Sequence, residues 1–354
     1  MTVDNATAPV KTEPINRRRL PAVVLSWPGT RALIAVIVLF AVSPLFSLGS
    51  VSSTAIISML PFAALIAVVA IGQTLVIQQG GLDLSVAGAV TLGAVIAAKL
   101  GSDGRIGLVA TILIAILATS LFGILSGVTV AVFGLPPLVV TIAINALMIG
   151  AVQAVSGGFS SQAPPGLSGL ALSRWVGLPV LALIALAIAV VAQLVLKLTR
   201  VGRRFELVGE NWRAAEFIGI SPKRYTIAAY WLSSLLAAGA GVLLAGLLRI
   251  PTLTSGDAYL LPSIAAVVLG GTALTGGRGS IAGTALGALF LAQLSQLVQT
   301  FTQSTAMQNI VQALIIGVGI VAQLQLGGST AKLKGLVRRS STPSTKSSQR
   351  GEGK

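Results

Sequence analysis

Few side chains in this sequence could do chemistry, and the absent types narrow the field first. The 354 residues contain no Cys and no His, which removes thiolate chemistry, disulfides, Cys-ligated metal and the commonest proton shuttle. No GxxxxGK[ST] phosphate loop occurs, so the chain is not expected to hydrolyse nucleotide itself, and no catalytic constellation, metal site or cofactor site is visible. Carboxylates are what remain. Asp83 follows Gly80-Gly81 where two apolar runs meet. It reads either as a charge inside the membrane on a transport path or as the N-cap of a helix starting at Leu84, and the cap is favoured. Asp257, near Arg249, reads as a solvated loop residue. Glu206, Glu210 and Glu216 stand among Arg203, Arg204 and Arg213, where ordinary exposed ion pairs account for them.

These last residues belong to the long polar interruption from Arg200 to Arg224. Within it a short helix is written out with both ends. Asn211 is a good N-cap, Trp212 to Ile218 can form about two turns through Arg213, Ala214, Ala215 and Glu216, and Gly219 can take the left-handed position that stops them ahead of Ile220. Ala214 and Ala215 keep one side low, while Phe217 and Ile218 supply an apolar side. A capped helix with a small-residue face open to close approach, in the longest internal loop, reads as a docking element for a partner protein.

The elements that position these residues are set by composition. Hydrophobic residues make up 54% and charged residues 9%, and the mean hydropathy is +0.92. A soluble chain carries roughly a quarter charged residues, and a membrane β-barrel shows short alternating segments rather than runs near twenty residues. The fold class is therefore all-α, a polytopic integral membrane protein with about ten transmembrane helices. Expected spans lie at about 33–48, 54–78, 84–99, 106–133, 136–155, 176–198, 226–248, 259–274, 280–299 and 308–326, the shorter ones read as broken or re-entrant helices. Residues 1–29 form a polar N-terminal tail, 30–327 the membrane domain with the polar loop 199–225 inside it, and 328–354 a disordered tail rich in Ser, Thr, Lys and Gly. With both tails and the polar loop on the cytoplasmic side, the clusters Arg17 to Arg19, Arg200 to Arg224 and Lys332 to Arg339 all fall inside, as the positive-inside rule requires. The net charge of +15 is thereby assigned to orientation in a lipid bilayer and not to nucleic acid.

Two Gly-rich places interrupt the apolar runs: Gly80-Gly81 leading to Asp83 and Ser85, and Gly270-Gly271 continuing to Gly276-Gly277. Paired glycines permit a sharp turn or a close backbone crossing. Gly80-Gly81 followed by Ser85-Val86-Ala87-Gly88 parallels Gly276-Gly277 followed by Ser280-Ile281-Ala282-Gly283, over a stretch too short to carry a symmetry argument. These eight residues, Gly80, Gly81, Asp83, Ser85, Gly270, Gly271, Gly276 and Gly277, are the candidates for helix breaks along a path.

On four stretches the sequence resembles the ribose/xylose-type sugar permeases of bacterial ATP-binding-cassette importers, in the larger group that includes branched-chain amino-acid permeases. They are Gly72-Gln73-Thr74-Leu75-Val76-Ile77 running into Gly80-Gly81-Leu82-Asp83-Leu84-Ser85; Pro137-Leu138-Val139-Val140-Thr141; Gly209 with Asn211, Ala214-Ala215 and Gly219-Ile220; and Ile264 to Thr272 with Gly276-Gly277-Arg278-Gly279. The chain departs from the family's pattern at Tyr259-Leu260-Leu261-Pro262-Ser263, where relatives commonly carry acidic residues, and at Ile142 to Asn145. The resemblance implies a pore-forming permease subunit in the bacterial inner membrane, paired with a second copy or a close relative. It also implies two cytoplasmic ATPase subunits, a periplasmic solute-binding protein, and a small polar solute, a monosaccharide foremost. It makes Asn211 to Ile220 the helix that couples to the ATPase. The alternative is an ion-coupled secondary transporter, for which Asp83 is the sole serious mid-membrane candidate.

Overall fold

The computed structural model describes residues 29–301 apart from residue 103, together with scattered positions between 304 and 317. The expectations for nearly all of the first tail, for the second tail and for most of the last span fall outside the described residues. The helices run in the order α1 (Thr30–Phe46), α2 (Ser53–Gln78), α3 (Val86–Ser102), α4 (Leu108–Ala131), α5 (Pro137–Ser156), α6 (Pro165–Leu172), α7 (Val180–Leu198), α8 (Arg200–Glu210), α9 (Trp212–Phe217), α10 (Pro222–Leu248), α11 (Asp257–Leu269) and α12 (Ile281–Gln299). The chain is a helical multi-pass membrane protein, and nine of the expected spans coincide with helices. Six of these are long and apolar enough to cross a bilayer by themselves, namely α2, α4, α5, α7, α10 and α12, while α1, α3 and α11 are shorter.

Position in the bundle follows from how apolarity is distributed around each helix. In α2 apolar residues surround the axis, and every residue from Ala63 to Gln78 is buried; a helix without a polar face belongs inside the bundle. Its partner is α10, which is approached through small residues. Cβ atoms added at Gly72 of α2, Gly93 of α3 and Gly127 of α4 would stand 2.9 Å from Ser233 Cα, 2.6 Å from the Ala238 carbonyl oxygen and 2.7 Å from Ile227 Cα. Lipid chains are as apolar as Leu, so helices in a bilayer associate by such close backbone approach rather than by burying oil. The peripheral α4, α5 and α7 leave most of their surface outside the described bundle.

The two short inner helices owe their length to non-helical backbone that lies within the protein. After α2 the chain stays non-helical through residues 79–85, so α3 starts part-way along the bundle. At the other end, the Gly256 N–H that precedes α11 donates to Thr91 Oγ1 at 2.9 Å, so α11 starts level with the first turns of α3. Broken backbone at membrane depth is tolerated where protein supplies its partners.

Besides α6, which falls between two expected spans, two features depart from the expectations. Arg174–Trp175 and Leu178–Pro179 pair as a small antiparallel hairpin across Val176 (φ 52°) and Gly177 (φ 79°), the positive-φ pair of a two-residue turn. The helix expected from residue 176 therefore starts at Val180. The polar interruption also holds a further helix: α8 is amphipathic, burying Gly202, Phe205 and Val208 and exposing Arg200, Arg203 and Arg204, with Thr199 capping it through the Gly202 N–H at 3.1 Å.

Candidate functional site

The end of α2 gathers most of the candidate residues into one junction. Past Gln78 the Gly80 N–H donates to the Ile77 carbonyl at 2.9 Å and the Gly81 N–H to the Val76 carbonyl at 3.1 Å, with Gly80 at φ +77°. This double closure with a left-handed residue is the Schellman ending, and Gly takes that conformation without the Cβ clash that penalises other residues. The same ending closes α11, where Gly271 (φ +84°) donates to Val268 and Thr272 to Val267. In geometry, Gly271 is thus the counterpart of Gly80, and the sequence parallel with Gly276-Gly277 misplaces it. The second half of that parallel does correspond: Ser85 and Ser280 both precede a helix and offer its first accepting carbonyl, to Ala89 and Thr284 respectively.

Asp83 is buried and accepts three hydrogen bonds: from Ser85 N at 3.0 Å and Ser85 Oγ at 2.6 Å on one oxygen, and from Ser233 Oγ of α10 at 2.8 Å on the other. It is not the cap of a helix at Leu84. The helix starts at Val86 with Ser85 in the cap position, and Asp83 holds the turn before it. Because the Ser85 hydroxyl is turned to Asp83, it leaves the Gly88 N–H, the group that Ser280 Oγ serves for Gly283 in α12. Asn145 of α5 takes its place, accepting from Gly88 N at 2.9 Å. Gln73 completes the arrangement by donating to the Asp83 carbonyl at 3.0 Å. Ser233 lies about 16 Å along α10 from Pro222 at 1.5 Å per residue, so the carboxylate sits well inside the bundle and ties α3 to α10.

Gly276 and Gly277 do something different from Gly80. With φ +90° and +86°, they bring the loop between α11 and α12 onto the end of α2, where the Gly277 N–H donates to the Gln78 carbonyl at 2.9 Å. The last turn of α8 seats on the same carbonyl: a Cβ at Gly209 would collide with the Gln78 oxygen and stand 3.3 Å from Gly277 N. Two side-chain links fasten the seat. Gln79 Nε2 donates to the Phe205 carbonyl at 2.9 Å, and Arg278 Nε to Glu210 Oε1 at 2.8 Å. Gly270 packs against α12, with an added Cβ 2.5 Å from Thr284 N, and Thr284 Oγ1 lies 2.9 Å from Thr74 Oγ1 of α2. Both Gly-rich breaks and the polar interruption thus meet at one place.

The ion pairs are not those expected within the Arg-rich segment. Glu210 reaches Arg278 across the junction and Glu206 reaches Lys197 of α7 at 2.7 Å.

The short helix forms as its sequence predicts. Asn211 Oδ1 accepts from Ala214 N at 3.0 Å, and the helix ends with Gly219 (φ +79°) donating to Glu216 and Ile220 to Ala215, a third Schellman ending. Of its residues, Ala215 is buried against the rest of the chain, whereas Trp212, Arg213, Ala214, Glu216 and Gly219 are exposed and Ile220 is half-buried. Phe217 and Ile218 project with 92% and 68% of their surface free. The outward side of α9 is therefore the large apolar one, and the low Ala215 position faces inward. The sequence reading missed α8, although Phe205 and Val208 at helical spacing among arginines signal it; it also gave no role to Ser233, Asn145, Gln78 and Arg278, whose roles come from chain crossings.

Two cavities flank α7. One, of about 530 Å³, lies between α2, α7 and α12 and is walled largely by alanines such as Ala64, Ala185 and Ala285. The other, of about 820 Å³, opens between α2, α7, α8 and α10. Asp83 lines neither.

Residues 55–319 match the family model described as the branched-chain amino acid transport system / permease component. The chain is 32% identical to the ribose import permease protein of Haemophilus influenzae over 303 residues, covering 84% of this chain and 93% of that protein. It is 31% identical to a fructose import permease protein of Bifidobacterium longum over 252 residues, covering 69% of this chain and 70% of that one. It is 32% identical to the ribose import permease protein of Escherichia coli K12 over 297 residues, 81% of this chain and 90% of the other. No solved structure matches it.

Proposed function

The chain belongs to the family of permease components of branched-chain amino acid type transport systems, and on that premise we propose that it is the pore-forming subunit of an ATP-binding-cassette importer for a monosaccharide. The ribose and fructose import permeases among its relatives support the solute class. Hydrolysis belongs to separate ATPase subunits on the cytoplasmic side, which α9 would engage through Trp212, Phe217 and Ile218. The partners are completed by a periplasmic solute-binding protein and a second permease, identical or related. The chain sits in the bacterial inner membrane as a multi-pass protein with both ends in the cytoplasm.

One observation carries the reading: α8, which leads directly into α9, rests on the carbonyl that also holds the loop between α11 and α12. A push on α9 reaches α8 across the Asn211 cap rather than being absorbed by a slack loop. Through Gly209, Glu210 and Phe205 it would then move the end of α2 and the Gly276–Arg278 loop together. The helix breaks at Gly80 and Gly271 provide joints about which α3 and α11 can tilt relative to α2 and α12. Asp83 holds α3 to α10, so a tilt of one carries the other. ATP binding biases this movement only so far as the ATPase has a higher affinity for one of the two arrangements.

The test is purification of the tagged chain from its native membrane in mild detergent, followed by reconstitution with whatever accompanies it. Stoichiometric recovery of a nucleotide-binding ATPase and ATP-dependent uptake of ribose or fructose supplied with the binding protein are expected. Recovery without an ATPase, from a preparation that retains other membrane complexes, combined with proton- or sodium-driven flux would replace this reading with a secondary transporter.

A further inference from the structure

The cavity of about 820 Å³ between α2, α7, α8 and α10 has the make-up of a lipid site. Its inner wall is apolar, formed by Ile71, Leu75, Ile188, Leu196, Leu232 and Leu236, and its rim carries two arginines, Arg204 from α8 and Arg224 from α10, beside Ser221. Among the described residues neither arginine forms an ion pair; the salt bridges there join Lys197 to Glu206 and Arg278 to Glu210. Both arginines are exposed, and Tyr225 between wall and rim is half-buried. α8 is the amphipathic helix of the polar interruption, so the rim lies at the level where a bilayer's headgroups meet water, with the apolar slot running from it into the hydrocarbon.

We propose that this slot binds an anionic phospholipid from the adjoining leaflet, one acyl chain between α7 and α10 and the phosphate between Arg204 and Arg224. Hydrocarbon gains little by leaving other lipid tails for a helix groove, since both are equally apolar. Selection therefore rests on the headgroup, and the two arginines on the rim supply it. Basic pockets between helices at this depth hold acidic headgroups for the same reason. A zwitterionic lipid brings its own ammonium to the phosphate and competes with the arginines, so it is the weaker occupant. Because Arg204 lies in the turn after Gly202 and next to Phe205, whose carbonyl receives Gln79, a lipid here would brace α8 on the junction at the end of α2. The site stands independently of which solute is carried.

The experiment is native mass spectrometry of the full-length chain equilibrated in mixed micelles of phosphatidylcholine and phosphatidylglycerol, reading the preference for retained phosphatidylglycerol. A charge-assisted hydrogen bond from an arginine to the phosphate contributes about tenfold or more, so R204Q/R224Q should lower the preference by about twentyfold or more. R200Q/R203Q removes the same charge from exposed positions outside the slot and should change it by less than threefold. A192W fills the slot without altering charge and should also abolish the preference. An equal loss in R200Q/R203Q would mean diffuse surface attraction and overturn the site, as would unchanged retention in R204Q/R224Q. A cysteine at Ala192 that cross-links to a second copy of the chain or to a co-purified ATPase in the membrane would show that protein fills the slot, and would also overturn it.

Discussion

Replacing Gly209 with Ala attacks the seat through which α8 bears on α2. The new Cβ would fall on the Gln78 carbonyl oxygen, the acceptor for the Gly277 N–H, and within 3.3 Å of Gly277 N itself. Both neighbours are backbone, so neither can rotate away; α8 must lift, or the bond between Gly277 and Gln78 must stretch. Overpacking of this kind costs about 1–3 kcal/mol and the loss of the hydrogen bond about 0.5–1.5 kcal/mol. Ala in place of Gly in a helix returns up to about 1 kcal/mol. The balance is roughly 1–3 kcal/mol against the seated arrangement, a change of about 5- to 150-fold in its equilibrium with a lifted one. The assay is solute transported per ATP hydrolysed in proteoliposomes containing the partner ATPase, measured beside the melting temperature of the purified complex. Gly209→Ala should lower the ratio severalfold or more while hydrolysis continues. Gly241→Ala is the control for lost stability: its Cβ would collide with the Val90 carbonyl of α3, far from α8. It should lower the melting temperature but leave the ratio of the surviving protein intact. Gly150→Ala, which meets open space, should change neither. A wild-type ratio in Gly209→Ala, or an equal fall in Gly241→Ala, would refute transmission through this seat.

Asp83→Asn should cost about 1 kcal/mol or less, because one oxygen still accepts from Ser85 and the Ser233 hydroxyl can turn to accept from the new amide; detergent melting curves and uptake check it, and total loss of transport at normal protein levels would move Asp83 from a structural role to the path. Asp83→Leu strands the Ser85 N–H and should cost about 1–3 kcal/mol for that group, with low membrane yield as the visible result. Phe217→Ala leaves the fold untouched, since the side chain is 92% exposed, yet should weaken capture of the ATPase by about thirtyfold if it is a central anchor; unaltered capture would remove it from the docking surface. Asn145→Leu deprives the Gly88 N–H of its acceptor and should destabilise by about 1–3 kcal/mol, and a melting temperature equal to that of the parent would show that water or another side chain serves Gly88.

What the sequence determined by itself is local or compositional. Apolar runs near twenty residues must become helices in lipid, because no other backbone arrangement satisfies its own polar groups there, and nine expected spans are indeed helices. The ends of α9 were legible for the same reason: Asn211 and Gly219 act on backbone groups three to five positions away, so the whole mechanism of each cap is written in adjacent letters. Gly80 and Gly271 announced breaks without announcing what kind. Only the tertiary structure decided that they end helices alike while Gly276 and Gly277 cross onto Gln78. Which side of α9 faces outward also waited on packing: the small-residue side reads in the sequence as the one open to close approach, yet α8 and α10 lie against Ala215 and leave Phe217 outside. Asp83 illustrates the limit most clearly. Its turn with Ser85 is local, but its bond to Ser233 joins residues 150 positions apart, and nothing in the spacing of a sequence records which distant helix will pass within hydrogen-bonding reach.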